Sequence, residues 1–282
     1  MGNVIEIKGL TKQYGKHRGV KEVSFAVGQG DMFAFLGPNG AGKSTTIRCM
    51  LGLIRYQEGS ISLLDNRYPG QRETLRHIGY MPSEAMFYSG MKVKDVIRFA
   101  AEARGVNCDR EAARLCEALE VPLQKKIEEL SLGNRKKVSI VCAMQHEPEL
   151  LILDEPTSGL DPLMQDVFFG LLQEANKKGT TCFLSSHVLS EVKKYCRNAA
   201  FIKEGNIVTV DSIDNLTRSN LRQVRIVRNG REERFSYEGN VQELLGKLQT
   251  MAVEDVLIEE PSLEEIFMHY YEEVQRSGDM EA

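Results

Sequence analysis

Eight consecutive residues, Gly37-Pro38-Asn39-Gly40-Ala41-Gly42-Lys43-Ser44, have the composition and spacing of a phosphate cradle, GxxxxGK[ST]. Glycines let the backbone curl so that successive N–H groups point inward, with no Cβ to block an approaching oxygen. Lys43 offers a point charge for β- and γ-phosphates, and the Ser44 hydroxyl, followed by Thr45, is the type of group that holds Mg²⁺. The apolar run at 32–36 reads as a buried strand. Residues 44–53 read as a helix, whose N-terminal end adds positive potential. No Asn-Lys-x-Asp guanine reader is present, so the expected ligand is an adenine nucleotide, ATP with Mg²⁺.

A second cluster sits at 150–155, where the apolar run Leu150-Leu151-Ile152-Leu153 ends in Asp154 and Glu155. Ligands of parallel sheets collect at the carboxyl ends of the strands. Asp154 is expected to reach the metal through a water. Glu155 is expected to face the space beyond the γ-phosphate, where a carboxylate can orient a water or accept its proton.

These residues need a scaffold. Residues 4–8 and 21–27 alternate apolar and polar side chains and read as strands, and 181–184 as a third. Helical spacing of apolar residues appears at 93–103, 110–119 and 134–145. Residues 162–177, opened by Pro162, and 188–195 read as further helices. Strands alternating with helices predict a mainly parallel sheet covered on both faces. After about residue 218 the pattern changes. Strand-like 221–227 and 233–237 are joined through Asn229-Gly230, a hairpin dipeptide. A helix at 241–248, a strand at 256–258 and a capping box of Ser262 and Glu265 complete a small α+β unit over 219–282.

The 282 residues are 42% hydrophobic and 27% charged, which excludes a disordered or fibrous chain. Lys+Arg 36 against Asp+Glu 40 gives −4, so global charge makes no case for a nucleic-acid partner. The basic run Asn134-Arg135-Lys136-Lys137 reads as a solvated helix start. Six cysteines without CxxC spacing read as small buried hydrophobes rather than metal ligands or a redox pair. No apolar run is long enough to span a bilayer, and no leader pattern opens the chain, so the expected place is the cytoplasm.

Further segments resemble one family. Leu130-Ser131-Leu132-Gly133-Asn134 is similar to the LSGGQ signature of ABC ATPases. Ser158-Gly159-Leu160-Asp161 resembles that family's D-loop, and Ser185-Ser186-His187 its H-loop. Ile78 to Glu84 resembles its Q-loop, with Ser83 where glutamine is expected. Tyr14 lies upstream of the phosphate loop, where the family stacks an aromatic ring on adenine. The resemblance implies an α/β fold with a P-loop NTPase, ABC-type core over 1–218. That core would have an antiparallel N-terminal subdomain and a helical subdomain at about 84–146, with 219–282 as an appendage. It implies catalytic roles for Lys43, Glu155 and His187. It gives Mg²⁺ to Ser44, Ser83 and Asp154. It gives nucleotide contacts to Tyr14, the phosphate loop, Thr45, Ser131, Gly133 and Asp161.

Ser131 and Gly133 would face the ATP of a second subunit, another copy of this chain or a homologous ATPase subunit, so the resemblance implies a dimer. It also implies an integral-membrane permease as partner, at the inner face of the cell membrane, for export of drugs or peptides. Leu132 replaces the first signature glycine, and a leucine there is expected to take an ordinary backbone conformation. Two other readings fit the same motifs. One is a soluble ABC ATPase without a permease. The other is a regulatory ABC module with weak hydrolysis, for which Ser83 and Leu132 argue.

Overall fold

A computed structural model describes residues 2–15, 18–217, 221–251 and 253–259. These fall into two compact units, one of residues up to 187 with 194–210, the other of 188–193 with the described residues from 211 onward. The expected capping box at Ser262 and Glu265 lies outside the described residues.

In the first unit, β1 (Asn3–Tyr14) and β2 (Arg18–Gly28) pair antiparallel, followed by β3 (Met32–Leu36) and α1 (Lys43–Met50). Next come β4 (Glu58–Leu63), α2 (Gln71–Arg76) and β5 (Ile78–Met81). Helices α3 (Val93–Glu102), α4 (Asp109–Ala118) and α5 (Leu132–Met144) then lead to β6 (Leu150–Asp154). The first unit continues through α6 (Pro162–Lys177), β7 (Thr181–Ser186), β8 (Asn198–Lys203) and β9 (Asn206–Ser212), while α7 (Leu189–Tyr195), between β7 and β8 in sequence, falls mostly in the second unit. One sheet runs β2-β1-β4 and the other β5-β6-β7-β3-β8-β9.

Strands β3, β6 and β7 are buried along their whole length, as unbroken apolar or small-residue runs require in a sheet covered on both faces. Their parallel register carries the functional argument. Met81 pairs with Leu153, Asp154 with Ser185, and Leu36 with Ser186. The carboxyl ends of β5, β6, β7 and β3 are therefore level. The segments leaving those strands emerge at one edge, including Ser83, Glu155, His187 and the loop from Gly37. Phe25 of β2 locks the two sheets together. Its ring lies 5.8 Å from Phe33 and 5.9 Å from Phe183, nearly parallel to both.

Strand β1 runs six residues past the expected end at 8, because it is paired on both sides, with β2 and with β4. Strand β4, which sequence pattern missed, is exposed over its first three residues, Glu58-Gly59-Ser60, and has only Leu63 buried, so its apolar signal is short. In the second unit, after α8 (Ile213–Thr217), β10 (Leu221–Arg228) and β11 (Arg231–Glu238) form the expected hairpin. Asn229 and Gly230 both have positive φ, 52° and 69°, as a tight turn of that type demands. Helix α9 (Val241–Thr250) and β12 (Asp255–Glu259) come next, and Val224, Ile226, Leu244 and Leu248 form the core of this unit.

Among the described residues, no helix is long and apolar enough to cross a membrane, and no His/Cys/Asp/Glu group has a metal-binding arrangement. None of the six cysteines, all among the described residues, is in a disulfide. Burial pushes the thiol pKa of Cys116 up to about 11 and that of Cys182 up to about 12. Both are expected to resist alkylation in the native protein at neutral pH and to react once it is denatured, which intact-mass measurement reads directly.

Candidate nucleotide site

The phosphate loop leaves β3 and closes into α1. Gly42 caps α1 with φ 112°, and a Cβ there would come within 2.5 Å of Val20 Cγ1. A Cβ on Gly37 would lie 2.3 Å from the Ile202 carbonyl oxygen. Gly42 is therefore demanded by conformation and space, and Gly37 by space alone. Ala41 is buried, and its carbonyl accepts from the Gly205 N–H at 2.9 Å, tying the loop to the turn after β8.

Lys43 is nearly buried. Its Nζ donates to the Gly37 and Pro38 carbonyls at 2.6 and 3.1 Å and pairs with Glu155 Oε1 at 3.1 Å. An open cleft of about 590 Å³ begins at this point. Asn39, Gly40, Gly42, Lys43, Ser44 and Thr45 line its floor, and Tyr14, Ser83 and Glu155 line its walls. Tyr14 is 46% exposed, with Lys12 Nζ 4.9 Å from its ring centroid. Arg18 and Arg48 also line the cleft and give it a second and third cation.

The carboxylates hang from the end of β6. Asp154 is buried, and its Oδ1 accepts from Ser185 Oγ at 2.6 Å. Its Oδ2 is buried and has no hydrogen-bond partner among the described residues. The Glu155 N–H donates to the same Ser185 Oγ at 2.9 Å. Glu155 itself has φ 50°, a left-handed conformation unusual for a side chain of its size. Its Oε2 lies 2.8 Å from His187 Nδ1, so the carboxylate spans Lys43 and His187.

Ser131 is the N-cap of α5, and its Oγ accepts from the Asn134 N–H at 3.3 Å. The helix begins at Leu132, two residues earlier than the pattern predicts, because this cap opens it. Leu132 accordingly has an ordinary helical conformation. Gly133 meets the D-loop, since a Cβ on it would lie 2.7 Å from the Gly159 carbonyl oxygen. Asp161 caps α6, accepting from the Met164 N–H at 3.0 Å. None of Ser131, Gly133 and Asp161 lines the cleft of its own chain.

One sequence reading is overturned. Lys136 and Lys137 are buried, Lys136 to 1% exposure, so they are not a solvated helix start. Lys136 Nζ donates to the Glu155 carbonyl at 2.7 Å. Burial pulls its pKa down, while the charges of Asp154 and Glu155 push it back up. The signal lay in the residues C-terminal to the basic run. Val138, Ile140, Val141, Ala143 and Met144 make α5 apolar nearly all round, and a lysine in such a helix must find a buried acceptor. Ser185 stands in the H-loop resemblance without a role of its own, because nothing in a single strand reveals that its neighbour ends in two acids.

The family model described as "ABC transporter" matches residues 20–158. A second, described as "AAA domain, putative AbiEii toxin, Type IV TA system", matches residues 126–192. The chain is 36% identical to the bacitracin transport ATP-binding protein BcrA of Bacillus licheniformis, over 78% of this chain and 73% of that one. It is 34% identical to an uncharacterized ABC transporter ATP-binding protein of Methanocaldococcus jannaschii, over 94% of this chain and 98% of the relative. The linearmycin resistance ATP-binding protein LnrL of Bacillus subtilis is 32% identical over 76% and 70% of the two chains. Among solved structures, an ATP-binding subunit of an ABC transporter superposes with a TM-score of 0.71 at 32% identity, covering 76% of this chain and 92% of that one. The order of motifs, the geometry of the cleft and these relatives agree: the chain belongs to the ABC transporter ATP-binding family, whose members hydrolyse ATP to drive transport.

Proposed function

We propose that two copies of this chain enclose Mg-ATP and hydrolyse it to power a separate membrane permease that exports drugs or peptides. The observation that carries the reading is the placement of the Glu155 carboxylate, 3.1 Å from Lys43 Nζ and 2.8 Å from His187 Nδ1, at the wall of the cleft. The loop N–H groups and Lys43 would bind the β- and γ-phosphates, and Tyr14 would stack on adenine. Glu155 would orient the attacking water and take its proton, and His187 would hold Glu155 in line.

The donors suit Mg²⁺. Ser44, Ser83 and Asp154 offer only oxygen, and the unpartnered, buried Asp154 Oδ2 is what a metal-bound water would satisfy. When bound, the ion neutralises phosphate charge and polarises the γ-phosphoryl group. Ser131 and Gly133, outside their own cleft at the N-terminus of α5, would supply the second copy's site with a hydroxyl and helix N–H groups.

Relatives named for bacitracin transport and linearmycin resistance support export as the work done. An apolar cleft of about 520 Å³ beside α3 supports the permease and a place at the inner face of the membrane. Met86, Tyr88 and Phe99 beside it are 87, 73 and 54% exposed, an apolar patch of the kind that marks a protein contact.

Phosphate release from Mg-ATP by the purified chain tests the reading, and a chain without turnover overturns it. His187→Ala is expected to lower kcat by about 100-fold, at the low end of the range for proton-transfer groups, because it acts through Glu155. KM for Mg-ATP should change little, since His187 is not among the residues lining the nucleotide cleft. An equal loss in KM would assign His187 to ground-state binding instead.

A further inference from the structure

Helix α5 grips the loop that carries Glu155 at two points. At its first turn Gly133 is pressed against the Gly159 carbonyl. One turn later Lys136 Nζ donates to the Glu155 carbonyl at 2.7 Å. On its other side the Glu155 peptide is held by a different element, through the N–H bond to Ser185 Oγ of β7 at 2.9 Å. The backbone between these clamps is left-handed, with φ 50° at Glu155. A glutamate does not hold that conformation unaided, so the direction of its carboxylate depends on both clamps. Ser185 ties Glu155 to the sheet. Lys136 ties it to the helix whose N-terminus bears Ser131.

We propose that Lys136 is a positioning residue that couples the signature end of α5 to Glu155 in the same chain, so that nucleotide bound against Ser131 by a second copy aligns the carboxylate of the first. The inference rests on the dimer reading above. The path is one helical turn and one hydrogen bond. A helix moves as a rigid body, so a shift at Ser131 reaches Lys136 undiminished. Each site then becomes competent when its neighbour is filled, and hydrolysis is cooperative in ATP.

Lys136→Met keeps the length and apolar stem of the side chain and removes the donor. In the full chain, with Mg-ATP as the varied ligand, it is expected to lower kcat about tenfold or more, as misplacement of a reacting group does. It should leave nucleotide affinity within about twofold, because the phosphate loop is untouched, and bring the Hill coefficient down to unity. Ser185→Ala is the comparison. It releases both the Glu155 N–H and the Asp154 carboxylate from β7 without touching α5, and should lower kcat while preserving cooperativity. Thermal melting checks that both variants are folded, and Lys136→Leu, which also lacks a donor, replaces the methionine variant if that one is not.

A Lys136 variant with wild-type kcat and Hill coefficient overturns the proposal. So does loss of cooperativity in Ser185→Ala to the same degree. A wild type that hydrolyses ATP without cooperativity removes the coupling but leaves the ATPase standing. A wild type without hydrolysis removes both.

Discussion

Glu155→Gln is expected to lower turnover by roughly 10²–10⁴-fold, the contribution of a positioned proton acceptor. ATP affinity should hold or rise. The amide has the shape of the carboxylate, so its oxygen can stay beside Lys43 Nζ, now 3.1 Å from Oε1, and its NH₂ can donate to His187 Nδ1, now 2.8 Å from Oε2. The fold loses no packing. What disappears is a negative charge at the place where a γ-phosphate arrives, and with it a like-charge repulsion in a half-enclosed site. Without hydrolysis to release it, the nucleotide should hold two chains together. Phosphate release gives the rate, and sedimentation with saturating Mg-ATP gives the state. Wild-type turnover in this variant would remove Glu155 from its role, and a strictly monomeric species would remove the shared pocket.

The parts of this site that are contiguous in sequence are legible there, and those assembled across the sheet are not. The phosphate loop and the Asp154-Glu155 pair each sit within one turn of a strand end, so composition reveals them. Their meeting depends on β3, β6 and β7 being parallel and level, which pattern predicts only as a class of sheet. The resemblance that implies catalytic roles for His187 and Glu155 names no contact between them, and the fold makes it across 32 positions. Lys136 shows why reading stops where it does. A run of Asn-Arg-Lys-Lys looks solvated because charge usually is, yet α5 lies under the catalytic loop and both lysines are buried, Lys136 against the Glu155 carbonyl. The apolar residues from Val138 onward say that α5 is buried, but not which acceptor a lysine in it finds, because that acceptor comes from tertiary packing. Ser131 and Asp161 are a milder case. Both are N-caps, which a residue-type rule can find, but the cap at Ser131 starts α5 at Leu132, ahead of where apolar spacing begins.

Lys43→Ala is expected to weaken ATP binding by roughly 30- to several-thousand-fold, because removing one member of a desolvated, hydrogen-bonded charge pair costs about 2–5 kcal/mol. The cost has two sources. One is the lost attraction between ammonium and phosphate. The other is the set of groups left without a partner: the Gly37 and Pro38 carbonyls lose their donor, and Glu155 faces the incoming phosphates with no cation between. Only the second source depends on Glu155, so the two can be separated. In the Glu155→Gln background the alanine substitution should cost less, by the interaction energy of two groups in contact, about 0.5–3 kcal/mol or roughly 2- to 150-fold in affinity. Calorimetric titration of the four proteins with ATP closes the cycle. Additive losses would mean that Lys43 and Glu155 act on different parts of the nucleotide, and the ion pair between them would then be a feature of the loop rather than of the reaction.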